Sequence, residues 1–193
     1  MKAKNEISTN LKQIPYPLIY CRLVITAFYV LAAICKPLQN PVAISALLIV
    51  GILTDIFDGV AARKFKCDTV HLRQLDSKVD TAFWLALLYV LLALRNDFMR
   101  NHAVEIFILL ASEVVIQLFA YFKFNSSLAL HTYAAKGWAL LLTFTVLQLL
   151  LGTNAVVLFY IMFAWGLIAQ AEVFYIVFKM KVFKVDVKSL FKI

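Results

Sequence analysis

The sequence predicts an all-α, polytopic membrane protein: six transmembrane helices, a short N-terminal interfacial helix and both termini in the cytoplasm. Three observations carry this fold class. Of the 193 residues 63% are hydrophobic and only 16% charged, with a mean hydropathy of +0.85, which lies outside the range of soluble globular domains. The apolar residues collect into six segments, each long enough as a helix to cross roughly 30 Å of hydrocarbon. The basic residues divide unevenly between the connections that join those segments.

In chain order, residues 1–16 come first. Ile7, Leu11 and Ile14 recur there at helical spacing among Lys, Asn, Ser and Gln, the pattern of a short helix lying in the membrane interface. No apolar run ends at a small-residue cleavage site, so no removable signal peptide is expected. The six spans read Pro17–Ile34, Pro41–Arg63, Leu72–Leu94, Ala103–Phe122, Ala134–Leu151 and Ala155–Phe178, and a basic tail occupies 179–193. The connections are too short for a soluble module, so 1–193 reads as a single membrane domain with its bundle at 17–178.

Orientation follows from Lys and Arg. All but three of the 19 basic residues fall on one side under this topology, and only Lys36, Arg95 and Arg100 fall opposite. Positive loops stay cytoplasmic, which puts both ends and the connection between the second and third spans there. Much of the +8 net charge belongs to tail residues such as Lys179, Lys181, Lys184, Lys188 and Lys192. Against anionic headgroups each is worth about 1 kcal/mol, so no nucleic-acid partner is required. Cys21, Cys35 and Cys67 are odd in number and widely spaced, which indicates neither a disulfide framework nor a Cys-x-x-Cys metal site.

The stretch TDIFDGVAARKFKCDTVHLRQLDSKVD, Thr54 to Asp80, holds five of the 11 acidic residues. Asp68 falls in the connection, where water solvates it; Asp55, Asp58, Asp76 and Asp80 fall on helices. A charge at the bilayer centre costs on the order of 3 kcal/mol, so such carboxylates need partners or water. Asp55 and Asp58 are three apart and Asp76 and Asp80 four apart, so each pair shares a helix face, and two antiparallel helices bring the pairs to the same depth. Four converging carboxylates describe a site for hard divalent cations, and two ions balance four carboxylates better than one. Gly59, Ala61 and Ala62 allow a backbone or a flat nucleotide close to the helix, and Arg63 suits a diphosphate. The plainer alternative pairs Asp55 and Asp58 with Arg63, Lys64 or Lys78 at the interface.

At these residues the sequence resembles the CDP-alcohol phosphatidyltransferase family, whose signature is D-x-x-D-G-x-x-A-R, about eight residues, then G-x-x-x-D-x-x-x-D. Asp55, Asp58, Gly59, Ala62, Arg63, Asp76 and Asp80 match seven of the eight defined positions, and Leu72 stands where the family has glycine. The resemblance implies that Asp55, Asp58, Asp76 and Asp80 hold two Mg²⁺ or Mn²⁺ ions. It also implies that Gly59, Ala62 and Arg63, with Thr69, bind the donor CDP-diacylglycerol, and that Asp80 is the base for the acceptor alcohol. Leucine at 72 is expected to crowd the substrate cleft or to shift the third helix. Pro15, Leu18 and Arg22 resemble the P-N-x-L-T-x-x-R opening of phosphatidylglycerophosphate synthase-like members, with Tyr16 and Ile19 in place of Asn and Thr. An arginine inside an apolar span calls for an anionic partner: Arg22 is expected either to meet the donor's phosphates or to snorkel to the interface.

Ser112 stands where such members carry an arginine for the acceptor phosphate, and Lys136 matches the lysine of a G-K-x-x-T element, which makes Lys136 the acceptor-phosphate candidate. Gln148 and Gln170 are expected to bond between helices, and Glu113 and Gln117 to line a polar cavity. The resemblance implies phospholipid synthesis by phosphatidyl transfer, best to a phosphorylated polyol such as glycerol-3-phosphate or inositol-phosphate, at the cytoplasmic face of the membrane (the inner one in a bacterium). It also implies a homodimer, with the Phe83–Leu94 run a candidate for its face. Transfer to a non-phosphorylated alcohol and a CDP-lipid-binding regulatory relative are the alternatives. A cation transporter is disfavoured, because no acidic relay crosses the bilayer.

Overall fold

A computed structural model describes residues 15–64, 70–125 and 132–180. The expected interfacial helix, Cys67, Thr69 and the basic tail beyond residue 180 lie outside the described residues. The helices are α1 (Pro15–Ile34), α2 (Pro41–Lys64), α3 (Val70–Leu94), α4 (Asn96–Asn101), α5 (Ala103–Phe124), α6 (Tyr133–Leu150) and α7 (Val156–Lys179), with a 3₁₀ turn at Lys36–Leu38. Among the described residues there is no strand, and six helices are long and apolar enough to cross a membrane. The protein is an integral membrane protein of the expected class, and each expected span ends within two residues of its helix.

Local chemistry explains the boundaries. The Asn40 side chain accepts hydrogen bonds from the Val42 and Ala43 N–H groups (3.0 and 3.2 Å) as Pro41 opens α2. The Thr132 hydroxyl does the same for Ala135 N–H (3.1 Å) ahead of α6. α5 stops at Asn125, whose backbone is left-handed with φ 49°. Hydropathy passes over α4 because it is short and polar. Its signal is electrostatic, with Asp97 in the first turn and Arg100 in the last, each opposing the helix dipole.

The chain divides into two compact units at Leu94–Arg95. In the first, α1 packs on α3 and on α2. Tyr29, Ile44, Leu48 and Phe83 are almost fully buried, and the Tyr29 hydroxyl donates to the Ile44 carbonyl (3.2 Å). Gly51 lies against the Phe83 ring so closely that a Cβ there would meet it at 2.6 Å, and Phe83 in turn packs on Tyr29 with ring centroids 5.4 Å apart. Gly51 thereby leaves room for the Phe83 ring of α3, one turn before Asp55. Phe83, Leu87 and Val90 are buried within this unit, so the part of the Phe83–Leu94 run open to a partner is reduced to Leu85, Tyr89 and Leu92.

In the second unit α7 packs on α6 and α5. Gln170 bonds between helices as expected, its Nε2 donating to the Leu109 carbonyl (3.0 Å) while Ser112 donates to its oxygen. Gln148 departs from expectation: its buried Oε1 has no hydrogen-bond partner. Two basic side chains close helix ends. Arg95 donates to the Leu149 and Leu150 carbonyls (2.7 and 3.0 Å) at the end of α6, and Lys123 to the Val177 and Phe178 carbonyls (2.9 and 2.7 Å) at the end of α7. Each cation thereby satisfies last-turn carbonyls that no helical N–H reaches.

Gly51→Ala is expected to destabilise the protein by about 1–3 kcal/mol through overpacking against Phe83. Unfolding in micelles should show a smaller penalty when Phe83→Leu is already present. An equal penalty in both backgrounds would remove the Gly51–Phe83 contact as its cause.

Candidate functional site

Helix α2 carries Asp55 and Asp58, α3 carries Asp76 and Asp80, and each pair presents one face, as the spacing predicts. What draws the pairs together is Arg22 of α1. Its Nη1 lies 3.2 Å from Asp55 Oδ1, 3.2 Å from Asp76 Oδ1, and donates to Asp80 Oδ1. Its Nη2 donates to Asp58 Oδ2. The Arg22 side chain is 1% exposed, so it does not snorkel to the interface. Asp58 is as deeply enclosed at 4%, whereas Asp55, Asp76 and Asp80 are 46, 20 and 29% exposed. One carboxylate is thus sealed with the guanidinium and three open outward.

One carboxylate oxygen from each of Asp55, Asp76 and Asp80 lies within 4.8 Å of the other two. Oxygen ligands at about 2.1 Å from an octahedral Mg²⁺ stand about 3 to 4 Å apart, so small side-chain rotations bring these three to a common ion. The donor set is all oxygen, which favours Mg²⁺, Mn²⁺ or Ca²⁺ over zinc. Buried Asp76 Oδ1 accepts no hydrogen bond. Among the described residues four carboxylates share the Arg22 guanidinium, a set rich in negative charge. On the chemistry of the donor set and its charge, the residues fit a divalent cation.

The other expected positions are distributed as follows. Gly59 follows Asp58 on α2 and is half-buried. Ala62 and Arg63 belong to the last turn of α2, but their side chains, like that of Lys64, are outside the description, and so is Thr69 altogether. Lys136 is exposed in the first turn of α6, in the second unit. There Gln117 Nε2 donates to Glu113 within α5 (3.0 Å). The element that sequence reasoning missed is the link between Arg22 and all four aspartates. Only the polarity of Arg22 inside an apolar helix pointed to it, and that signal names no partner.

In comparison with known proteins, the family model for CDP-alcohol phosphatidyltransferase matches residues 12–179. Neither a curated protein nor a solved structure matches the chain.

Leu72, the departure from the family signature, is 4% exposed and packs with Ile19 and Val79, with Leu75 against them. Ile19 is itself a departure, standing where the P-N-x-L-T-x-x-R opening has threonine. Two apolar residues where the patterns have a glycine and a threonine therefore meet in one contact between α1 and α3. Ile19 lies three residues before Arg22 and Leu72 four before Asp76, so the contact sits one turn from the carboxylate cluster. Leu72→Gly is expected to cost about 3 kcal/mol or more, from the cavity and from glycine in a helix. Thermal unfolding of the purified protein measures it, and an unchanged melting temperature would rule out this packing role.

Proposed function

The chain belongs to the CDP-alcohol phosphatidyltransferase family, and from that membership we propose that it transfers a phosphatidyl group from CDP-diacylglycerol to an alcohol acceptor and releases CMP. The observation that carries this reading is the convergence of Asp55, Asp58, Asp76 and Asp80 from two apolar helices, an all-oxygen set whose negative charge suits a divalent cation. Those four residues are proposed to hold two Mg²⁺ or Mn²⁺ ions, which when bound supply charge neutralisation of the diphosphate and of departing CMP.

The protein's own groups then divide the work. Gly59 and Ala62 leave room beside α2 for the cytidine portion of the donor, while Arg63, Thr69 and Arg22 supply hydrogen-bond donors to its phosphates. Asp80, more open than Asp58, receives the proton of the acceptor hydroxyl as that oxygen attacks the phosphorus nearer the lipid. The new phosphorus–oxygen bond replaces the one to CMP, which leaves with the electron pair. Lys136, exposed at the positive end of α6, is proposed to bind the phosphate of a phosphorylated polyol such as glycerol-3-phosphate or inositol-phosphate.

The match across both units supports treating 1–193 as one catalytic domain. The excess of Lys and Arg on the side of the α2–α3 connection supports a site facing the cytoplasm. A homodimer is proposed on family grounds.

Purified protein with CDP-diacylglycerol, Mn²⁺ and a panel of glycerol-3-phosphate, inositol-phosphate, inositol, serine and glycerol should release CMP with one acceptor. Donor binding without release from any of them would favour a CDP-lipid-binding regulatory relative. Asp80→Asn is expected to lower turnover at least 10³-fold while donor binding persists, and unchanged turnover would dismiss Asp80 as base. Lys136→Met should raise the acceptor KM about tenfold or more, with kcat little changed, if the acceptor is phosphorylated; an unaltered KM with that acceptor dismisses the assignment.

A further inference from the structure

Arg22 Nη1 stands where the cation is needed. The three residues whose oxygens approach one another within 4.8 Å, Asp55, Asp76 and Asp80, are the same three that contact Nη1, two of them at 3.2 Å. A divalent ion held by these oxygens takes the lone pairs that the guanidinium uses, and carries the same sign of charge. The two are therefore alternative occupants of one position. A second feature shows that the guanidinium is incompletely held: Nε, in a side chain only 1% exposed, has no hydrogen-bond partner. A buried guanidinium serving only as a structural tie would be expected to satisfy that donor.

We propose that Arg22 is the resident counter-ion of the aspartate cluster and exchanges with the divalent cation. Before the cation binds, the guanidinium neutralises part of the cluster and lets α1, α2 and α3 pack around it. Binding at Asp55, Asp76 and Asp80 expels Nη1, which frees it for an anion such as the donor's phosphates. The Ile19–Leu72 contact lies one turn away along α1 and α3. The affinity for cation is then lower than the carboxylates alone would give, because each ion must displace an internal rival. This inference rests on the divalent-cation reading of the cluster.

Mn²⁺ binding to the full-length protein in micelles, followed by titration calorimetry without any substrate, tests the exchange. Arg22→Met is expected to bind Mn²⁺ at least tenfold more tightly than the unsubstituted protein. Arg22→Lys, which keeps the charge but offers one nitrogen in place of the fork, should fall between, and it carries the test alone if Arg22→Met does not fold. In Arg22→Ala, millimolar methylguanidinium should weaken Mn²⁺ binding again. Mn²⁺ binding that is equal or weaker in the substituted proteins overturns the exchange while leaving the cation site standing. Failure of the unsubstituted protein and of every variant to bind Mn²⁺ overturns the cation reading itself, and the exchange with it.

Discussion

Four carboxylates and a guanidinium meeting among apolar helices are the interaction on which the first unit depends. Like charges in a poorly solvated setting repel strongly, and a single arginine reaching all four aspartates is what makes their convergence tolerable. The arginine in turn is held by carboxylates on α2 and α3. Neither set of charges has a low-energy position alone, so α1, α2 and α3 are tied together by mutual need rather than by shape alone.

The surrounding frame works under a related constraint: in hydrocarbon every polar group must be answered from within the protein. Arg95 and Lys123 close the C-terminal carbonyls of α6 and α7, and Gln170 answers both Ser112 and the Leu109 carbonyl. Aromatic rings are seated over small residues, Phe83 over Gly51 and Trp138 over Gly166. Among the described residues, the buried polar atoms without a hydrogen bond are Arg22 Nε and Asp76 Oδ1 at the cluster, and Gln148 Oε1 and Glu172 Oε2 in the second unit.

Leu72 shows how a departure from a family pattern is read differently once packing is known. As a sequence position it marks a missing glycine beside a substrate cleft. In the folded chain it fills the α1–α3 seam against Ile19, the residue that replaces a threonine in the same family's opening pattern. The two changes are one change, the substitution of an apolar contact for smaller and more polar neighbours. Helical spacing puts Ile19 one turn before Arg22 and Leu72 one turn before Asp76, but nothing in the order of residues shows that they touch or that Arg22 joins the cluster.

The sequence by itself determined the fold class, the six spans to within two residues and the pairing of aspartates on two helix faces. Those properties are local: hydropathy sums over a window, and helical periodicity places residues three and four apart on one side. Tertiary structure alone decided that Arg22 is the partner of all four aspartates, that Leu72 packs on Ile19, and that Gly51 admits the Phe83 ring. Each of those is a contact between residues 32 or more apart in the chain, chosen by how helices pack rather than by periodicity within one. A charged residue in an apolar helix announces that it has a partner, and only packing selects which.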